Sequence, residues 1–344
     1  MNNTMTMNTF RHSSLIILIL LTSAFSCSPG KDSVYIKTMP LMDTIVSITV
    51  VADSKAAAEQ TIEKAFAKIS RFGDLINFYS DKSELAEINR NAGLQRVKVS
   101  PETLDLIEKA VFAAEKSGGA FDPTIGPIVK LWDFLNKKEP TEIEIAQALP
   151  LVNYKDILID RTAATVFLKR KGMMIDLGGI AKGYAADLAV ELLKREGIRS
   201  GLVSIAGDIR TFGMKPDKKS WIIGIKNPRQ TGEKDEIIAK IRLSDKAIST
   251  AGDYERFFLG TGKRYHHLLD PKSGYPAELS RSVSVIAERG VMTDGFDNAV
   301  FILGPEKGMR LIKEMGMDAM IIDSSGTLHM TDAIKEIITI EKGH

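Results

Sequence analysis

Met173-Met174-Ile175-Asp176-Leu177-Gly178-Gly179-Ile180-Ala181-Lys182-Gly183-Tyr184 is the stretch on which the fold turns. Met173–Leu177 reads as a short apolar strand that ends in two glycines, and a helix follows from Ala181 to about Glu196. If this unit repeated, the chain would be a parallel α/β protein. It does not repeat. Downstream come strand candidates at Gly201–Ile205, Trp221–Ile225, Glu236–Leu243, Lys246–Ser249 and Arg281–Ala287. Helices are expected over Gly295–Leu303 and Pro305–Met315, then a hairpin of Ala319–Ile322 and Thr327–Met330 about a Ser-Ser-Gly turn. Upstream, Val34–Ile36 and Ile45–Val51 have strand character. Ser54–Asn77 has helical spacing, with Ala58, Ile62, Ala65, Phe66, Ile69 and Phe72 on one face. Ser100 and Pro101 open a further helix that stops at Gly118-Gly119, and Thr141–Leu149 is a shorter one. Strands and helices mix without a βαβ rhythm, so the fold class is α+β.

The 344 residues are 44% hydrophobic and 26% charged, an ordinary folded composition. Lys and Arg number 46 against 44 Asp and Glu, a net +2, which argues against a nucleic-acid binder. The single cysteine, Cys27, excludes an internal disulfide and any cysteine-based zinc or iron–sulfur site. Cys27 follows Arg11, a short apolar run from Leu15 to Leu21, and small residues. This is the plan of a secretory signal, and Ala24-Phe25-Ser26-Cys27 resembles a lipobox in which Ala24 stands where Leu is usual. Residues 1–26 are read as a lipoprotein signal peptide, 27–33 as a tether and 34–344 as one folded domain. An acyl chain on Cys27 would tether the domain to a membrane without a spanning helix.

Five segments bear chemistry. In Asp176–Tyr184, a helix N-terminus after glycines, with Lys182 beside it, reads either as an anion cradle or as a tight turn with a solvated lysine. In Thr293-Asp294-Gly295-Phe296-Asp297-Asn298, Asp294 and Asn298 share a helical face and suit Mg²⁺, unless Thr293 or Asp294 only caps the helix. Tyr265-His266-His267 leads into the turn Asp270-Pro271-Lys272-Ser273-Gly274. Adjacent extended residues face opposite ways, so at most one of these histidines enters a given site. Ala120-Phe121-Asp122-Pro123 opens a rigid, turn-rich segment. Ser249-Thr250-Ala251-Gly252-Asp253 reads as a polar turn between strands without a nucleophile elbow.

Together these segments resemble the bacterial FAD:protein FMN transferases, the ApbE-type flavin transferases. The resemblance rests on nine blocks in order from about Met39 to the end. They are Met42-Asp43-Thr44; Tyr79 with Ser83-Glu84-Leu85 and Asn89; Phe121 to Pro127; Asp176 to Tyr184; Gly207-Asp208-Ile209; Ile225 to Pro228; Thr250 to Tyr254; His267 to Gly274; and Thr293 to Leu303. The resemblance implies an ApbE-like, T-fold-like single large domain with two intimately packed halves and an FAD cleft between them. It implies Mg²⁺-dependent transfer of FMN from FAD to a threonine or serine hydroxyl of an acceptor protein, with release of AMP. Acceptors would be flavoprotein subunits, such as those of membrane redox complexes, and the enzyme would be lipid-anchored and face the periplasm. By motif, Met42 and Tyr79 would flank the flavin or adenine, and Ala120, Phe121, Asp122, Asp176, Lys182 and Leu268 would contact FAD. The Gly179 carbonyl, Asp294 and Asn298 would hold Mg²⁺. Asp294 or His267 would take the acceptor's proton, a histidine base losing activity below about pH 6.5. Two departures stand out: Asp43 replaces a frequent glycine, and Asn298 replaces a frequent threonine. The same site would also serve an FAD pyrophosphatase. A non-catalytic FAD-binding lipoprotein would need the cleft but not the metal.

Overall fold

The computed structural model describes residues 32–229, 236–260 and 262–341. Residues 1–26, read above as a signal peptide, and Cys27 lie outside the described residues. From Asp32 the described chain forms one compact unit.

Its centre is an eight-stranded sheet whose strands lie side by side in chain order. These are β1 (Ser33–Leu41), β2 (Thr44–Ala52), β3 (Ser200–Ile205), β4 (Asp208–Phe212), β5 (Ala247–Gly252), β6 (Ser280–Ala287), β7 (Asp318–Asp323) and β8 (Leu328–Met330). Every neighbouring pair is antiparallel, and with the separate helices this bears out the α+β class. The register follows side-chain alternation. Val46, Ile48 and Val50 of β2 and Val283 and Val285 of β6 face a helical layer, while Val51 and Ile286 point the other way. That other face is covered by a small sheet of Trp221–Lys226, Ile237–Leu243 and Ile338–Ile340, which buries Trp221, Ile223 and Ile241.

Four helices matter to the site: α1 (Lys55–Ile76), α2 (Pro101–Lys116), α3 (Ala181–Arg195) and α4 (Gly290–Glu314). The Oγ of Ser54 accepts from Ala57 N at the start of α1, and that of Ser100 from Thr103 N at the start of α2. Thr141 and Glu144 form a reciprocal capping box on the short helix Glu142–Ala148. α4 begins at Gly290, and its first N–H groups, Gly290 and Val291, donate to the Asp187 carboxylate of α3 at 2.9 and 3.1 Å. Thr293 and Asp294 therefore lie inside the helix and do not cap it. The two helices expected over 295–303 and 305–315 are both present within this span: Gly304, with φ +73° and ψ −177°, is not helical and parts them just before Pro305, and the first begins earlier than expected, at Gly290.

Two other expectations give way. Met173–Leu177 is not a strand. The Ile175 backbone pairs with a side chain, its N–H donating to Asn89 Oδ1 at 2.7 Å and its carbonyl accepting from Asn89 Nδ2 at 3.0 Å. Only Met174 bridges a neighbour, Ile125. Conversely, Ser249–Gly252 is strand and not turn. The polar side chains of β5 find partners on both faces: Ser249 Oγ with Thr293 Oγ1 and Thr250 Oγ1 with Ser284 Oγ, each at 2.8 Å.

Candidate active site

A cleft of about 680 Å³ opens at the end of the sheet that carries two tight hairpin tips. Met42 and Asp43 form the two-residue turn between β1 and β2, with φ of +53° and +55°. Two positive φ values in succession define the turn whose twist suits a hairpin, and glycine or a small polar residue adopts it best. This gives the Asp43 departure a physical reading. Asp tolerates the left-handed region, so the tip keeps its shape without glycine. Met42 packs on Gly73 of α1, where an added Cβ would lie 3.0 Å from Met42 Cγ. Ala206 and Gly207, φ +52° and +93°, turn β3 into β4 and bring Asp208 to the cleft.

All twelve site residues read from the described sequence line this one cleft: Met42, Tyr79, Ala120, Phe121, Asp122, Asp176, Gly179, Lys182, His267, Leu268, Asp294 and Asn298. Their environments differ. Tyr79 is 74% exposed at the mouth. Asp122 is buried and its carboxylate is already engaged. Oδ1 accepts from Thr124 N at 2.8 Å and Oγ1 at 2.6 Å, and Oδ2 from Tyr154 N at 3.0 Å. Asp122 thus shapes the wall, and burial raises its carboxyl despite these bonds. Asp176 accepts from Gly178 N at 2.8 Å, closing the turn before α3, and burial raises it too.

The two histidines divide as their alternation requires. His266 is buried, its Nε2 donating to the Ala277 carbonyl at 2.8 Å and its ring edge-on to Phe301. His267 lines the cleft, and its Nδ1 donates to the Arg256 carbonyl at 3.3 Å. Burial first, then the charge of Arg256, push its imidazole down to about 3. An activity limb near pH 6.5 is therefore not expected from His267. It stays neutral at pH 7 and is a weak base, far from the matched pKa that general-base catalysis favours.

The centre of the cleft is an acidic cluster that sequence reading found only in part. Lys182 Nζ donates to Asp294 Oδ1 at 3.1 Å and, more closely, to Asp208 Oδ2. Asp294 Oδ2 accepts from the Gly183 N–H in the first turn of α3 at 2.9 Å. An acid from α4 thus sits on the positive end of α3. Carboxylate oxygens of Asp208, Asp294 and Asp297 all lie within 4.8 Å of one another, and all three residues are buried. Burial works against the charge of Lys182, but Asp208 and then Asp294 outweigh it and raise its pKa. Burial raises Asp208 to about 6, with Lys182 opposing and Asp294 adding. Burial, Asp294 and Asp208 together raise Asp297 well above the carboxylate range.

Three buried carboxylates thus face one ammonium. Such an excess is costly unless a further cation offsets it. The Gly179 carbonyl is at the same place, accepting from Asn298 Nδ2 at 3.2 Å, and the same amide nitrogen donates to Asp294 O and Asp297 Oδ1. A half-turn of the amide presents its oxygen instead. Carboxylate, carbonyl and amide oxygens are the donor set of a hard divalent cation, so these residues fit Mg²⁺. Asp297 was within reach of sequence reasoning, being three residues from Asp294 and on the same face. Asp208 stood in the block Gly207-Asp208-Ile209 but was given no role, because only the β3–β4 turn delivers its carboxylate to the cleft.

A cleft sized for a dinucleotide, centred on buried acids and a lysine, is the site of an enzyme that handles a phosphorylated ligand. The sequence matches the ApbE family over residues 42–321, and the chain belongs to that family. It is 34% identical over 327 residues to the FAD:protein FMN transferase of Treponema pallidum, covering 89% of this chain and 90% of that one. The FAD:protein FMN transferase of Klebsiella pneumoniae is 33% identical over 85% of this chain and 90% of its own length. Among solved structures, the ApbE protein of Thermotoga maritima superposes with a TM-score of 0.82 at 34% identity, over 89% of this chain and 99% of that one.

Proposed function

We propose that this chain transfers FMN from FAD to a threonine or serine hydroxyl of an acceptor protein. The observation that carries the reading is the convergence of eight of the nine residue blocks, all but Ile225 to Pro228, on one cleft around Lys182, Asp208, Asp294 and Asp297. The names of the relatives support the same activity. The acceptor oxygen attacks the FMN-side phosphorus, the bond from that phosphorus to the bridging oxygen breaks, and AMP leaves with the bridge. The acceptor's proton goes to a carboxylate of the acidic centre, a better acceptor than His267. Lys182 keeps two of those carboxylates fixed, and Asp122 and Asp176 hold the walls around them. Asp294, Asp297, Asn298 and the Gly179 carbonyl would hold Mg²⁺. When bound, Mg²⁺ neutralises charge on the phosphates and on the departing AMP.

The test incubates the purified chain lacking residues 1–26 with FAD, Mg²⁺ and a threonine-bearing domain from a flavinylated redox subunit of the same cell. Flavin fluorescence of the denatured acceptor band is followed beside AMP and FMN. The expected result is a fluorescent acceptor with one AMP per flavin bound. FMN and AMP released together without labelled acceptor would make the chain a pyrophosphatase. FAD bound without AMP release would make it a carrier.

We also propose that Cys27 carries the lipid that holds the enzyme at the periplasmic face of the envelope. Among the described residues no helix is long and apolar enough to cross a membrane. Intact-mass measurement of detergent-extracted protein is expected to show a chain beginning at an acylated Cys27. A free thiol on a protein recovered entirely in the aqueous phase would refute the anchor.

A further inference from the structure

On the flavin-transfer reading the cleft must take a pyrophosphate next to three carboxylates, and its one lysine is committed to two of them. The other strong cation lining the cleft is Arg256. It sits between β5 and the hairpin of Phe257–Leu259 and Arg264–His266, and its backbone is pinned. The Arg256 carbonyl accepts from the His267 N–H at 3.1 Å as well as from the imidazole. Its side chain is treated differently by the fold. The residue is exposed, and among the described residues the guanidinium has no hydrogen bond or ion pair. The contrast with neighbouring cations is sharp. Arg229 makes a bidentate pair with Asp253 at 2.6 and 2.7 Å, and Arg264 lies 4.1 Å over the Phe257 ring. The charge of Arg256 nevertheless reaches Tyr79, Asp176 and His267, which stand on three separate segments of the cleft wall.

We infer that Arg256 binds the pyrophosphate of the dinucleotide. This rests on the flavin-transfer reading and adds a phosphate-binding residue to it. A guanidinium is always charged and offers a planar fork of donors that matches phosphate oxygens two at a time. A pyrophosphate brought beside Asp208, Asp294 and Asp297 meets repulsion that Lys182, already paired, does not offset. Arg256 supplies the missing charge from the protein's own side and also faces the charge that collects on the departing phosphate.

The experiment uses the chain lacking residues 1–26 with Arg256→Gln and Arg256→Lys. Calorimetry measures FAD, ADP and riboflavin binding separately, so that phosphate and flavin contributions part. Arg256→Gln is expected to weaken FAD and ADP about ten- to hundredfold, the size of a lost charge-assisted bond, and to leave riboflavin unchanged. Arg256→Lys should fall between, since it keeps the charge and loses the fork. Both should melt with the parent, because the guanidinium holds nothing in the fold. FAD and ADP affinities within twofold of the parent in Arg256→Gln would overturn the inference. So would an equal loss for riboflavin, or a lowered melting temperature accompanying the loss, which would assign Arg256 to the shape of the cleft. A parent that binds FAD and ADP without transferring flavin would defeat the transferase reading and leave the Arg256 result standing. A parent that binds neither would defeat both.

Discussion

Asp294→Asn is expected to lower flavin transfer by roughly two to four orders of magnitude while the protein stays folded. Asp294 is 1% exposed, and both its oxygens are in use, one with Lys182 and one with the Gly183 N–H. Asparagine keeps an oxygen for Gly183, so the start of α3 retains its acceptor. It loses the charge, so Lys182 keeps only Asp208 as counter-ion and the acidic centre loses one of its three carboxylates. Asp294→Ala removes the acceptor as well. It should cost about 1.5–3 kcal/mol for a lost hydrogen bond to a charged group, offset in part by relief of repulsion from Asp208 and Asp297. The pair of variants separates the two roles. Thermal melts titrated with Mg²⁺ supply a second readout, since a cation that binds only the folded state raises the melting temperature. The parent should show that rise and both variants should lose it. If Asp294→Asn transfers flavin at the parent rate and still melts higher with Mg²⁺, Asp294 merely braces α3.

The contrast between these two jobs of Asp294 shows what was legible in the sequence. Helices whose signals are local were readable: Ser54 before α1, Ser100-Pro101 before α2 and the Thr141–Glu144 box each act within a few residues. The start of α4 was not, because its cap is the Asp187 carboxylate, 103 residues away from Gly290. Thr293 and Asp294 look like caps only while that partner is unseen. Met173–Leu177 has the composition of a strand, but the partner of Ile175 is the side chain of Asn89, 86 residues away. The mixed segment Ser249–Gly252 looks like a turn until Thr293 and Ser284 are placed against it. The site followed the same rule. Motif residues that carry their own turn or helix signal were found. Asp208, set in the cleft by a hairpin, was given no role there, and Arg256, whose guanidinium makes no bond in the fold, was not singled out. The segment Asp332–Ile340, which forms a short helix and an edge strand, also lacked a signal strong enough to read.

Gly183→Ala is the second large effect, and it acts on the distance between two helices. A Cβ at Gly183 would lie 2.0 Å from the Gly290 carbonyl oxygen and 2.8 Å from Asp294 Cβ. A Cβ at Gly290 would lie 2.4 Å from the Gly183 oxygen. The first turns of α3 and α4 therefore touch backbone to backbone, and no side chain can swing aside to make room. That contact is what lets the Gly183 N–H and Lys182 of one helix reach Asp294 of the other. Alanine in place of a helical glycine ordinarily gains up to about 1 kcal/mol. Here the methyl group must push the helices apart, and overpacking of this kind costs about 1–3 kcal/mol or more. The strain wins, because the obstacle is a backbone carbonyl at less than van der Waals contact. Melting is expected several degrees below the parent, with transfer reduced more than Mg²⁺-free stability, since the acidic centre is assembled across the same contact. Gly290→Ala should have the same signature. The double variant should lose less than the sum of the two, because one separation of the helices relieves both clashes. A Gly183→Ala protein with the parent's melting temperature and transfer rate would mean that α3 and α4 can part without cost, and that the centre does not depend on their contact.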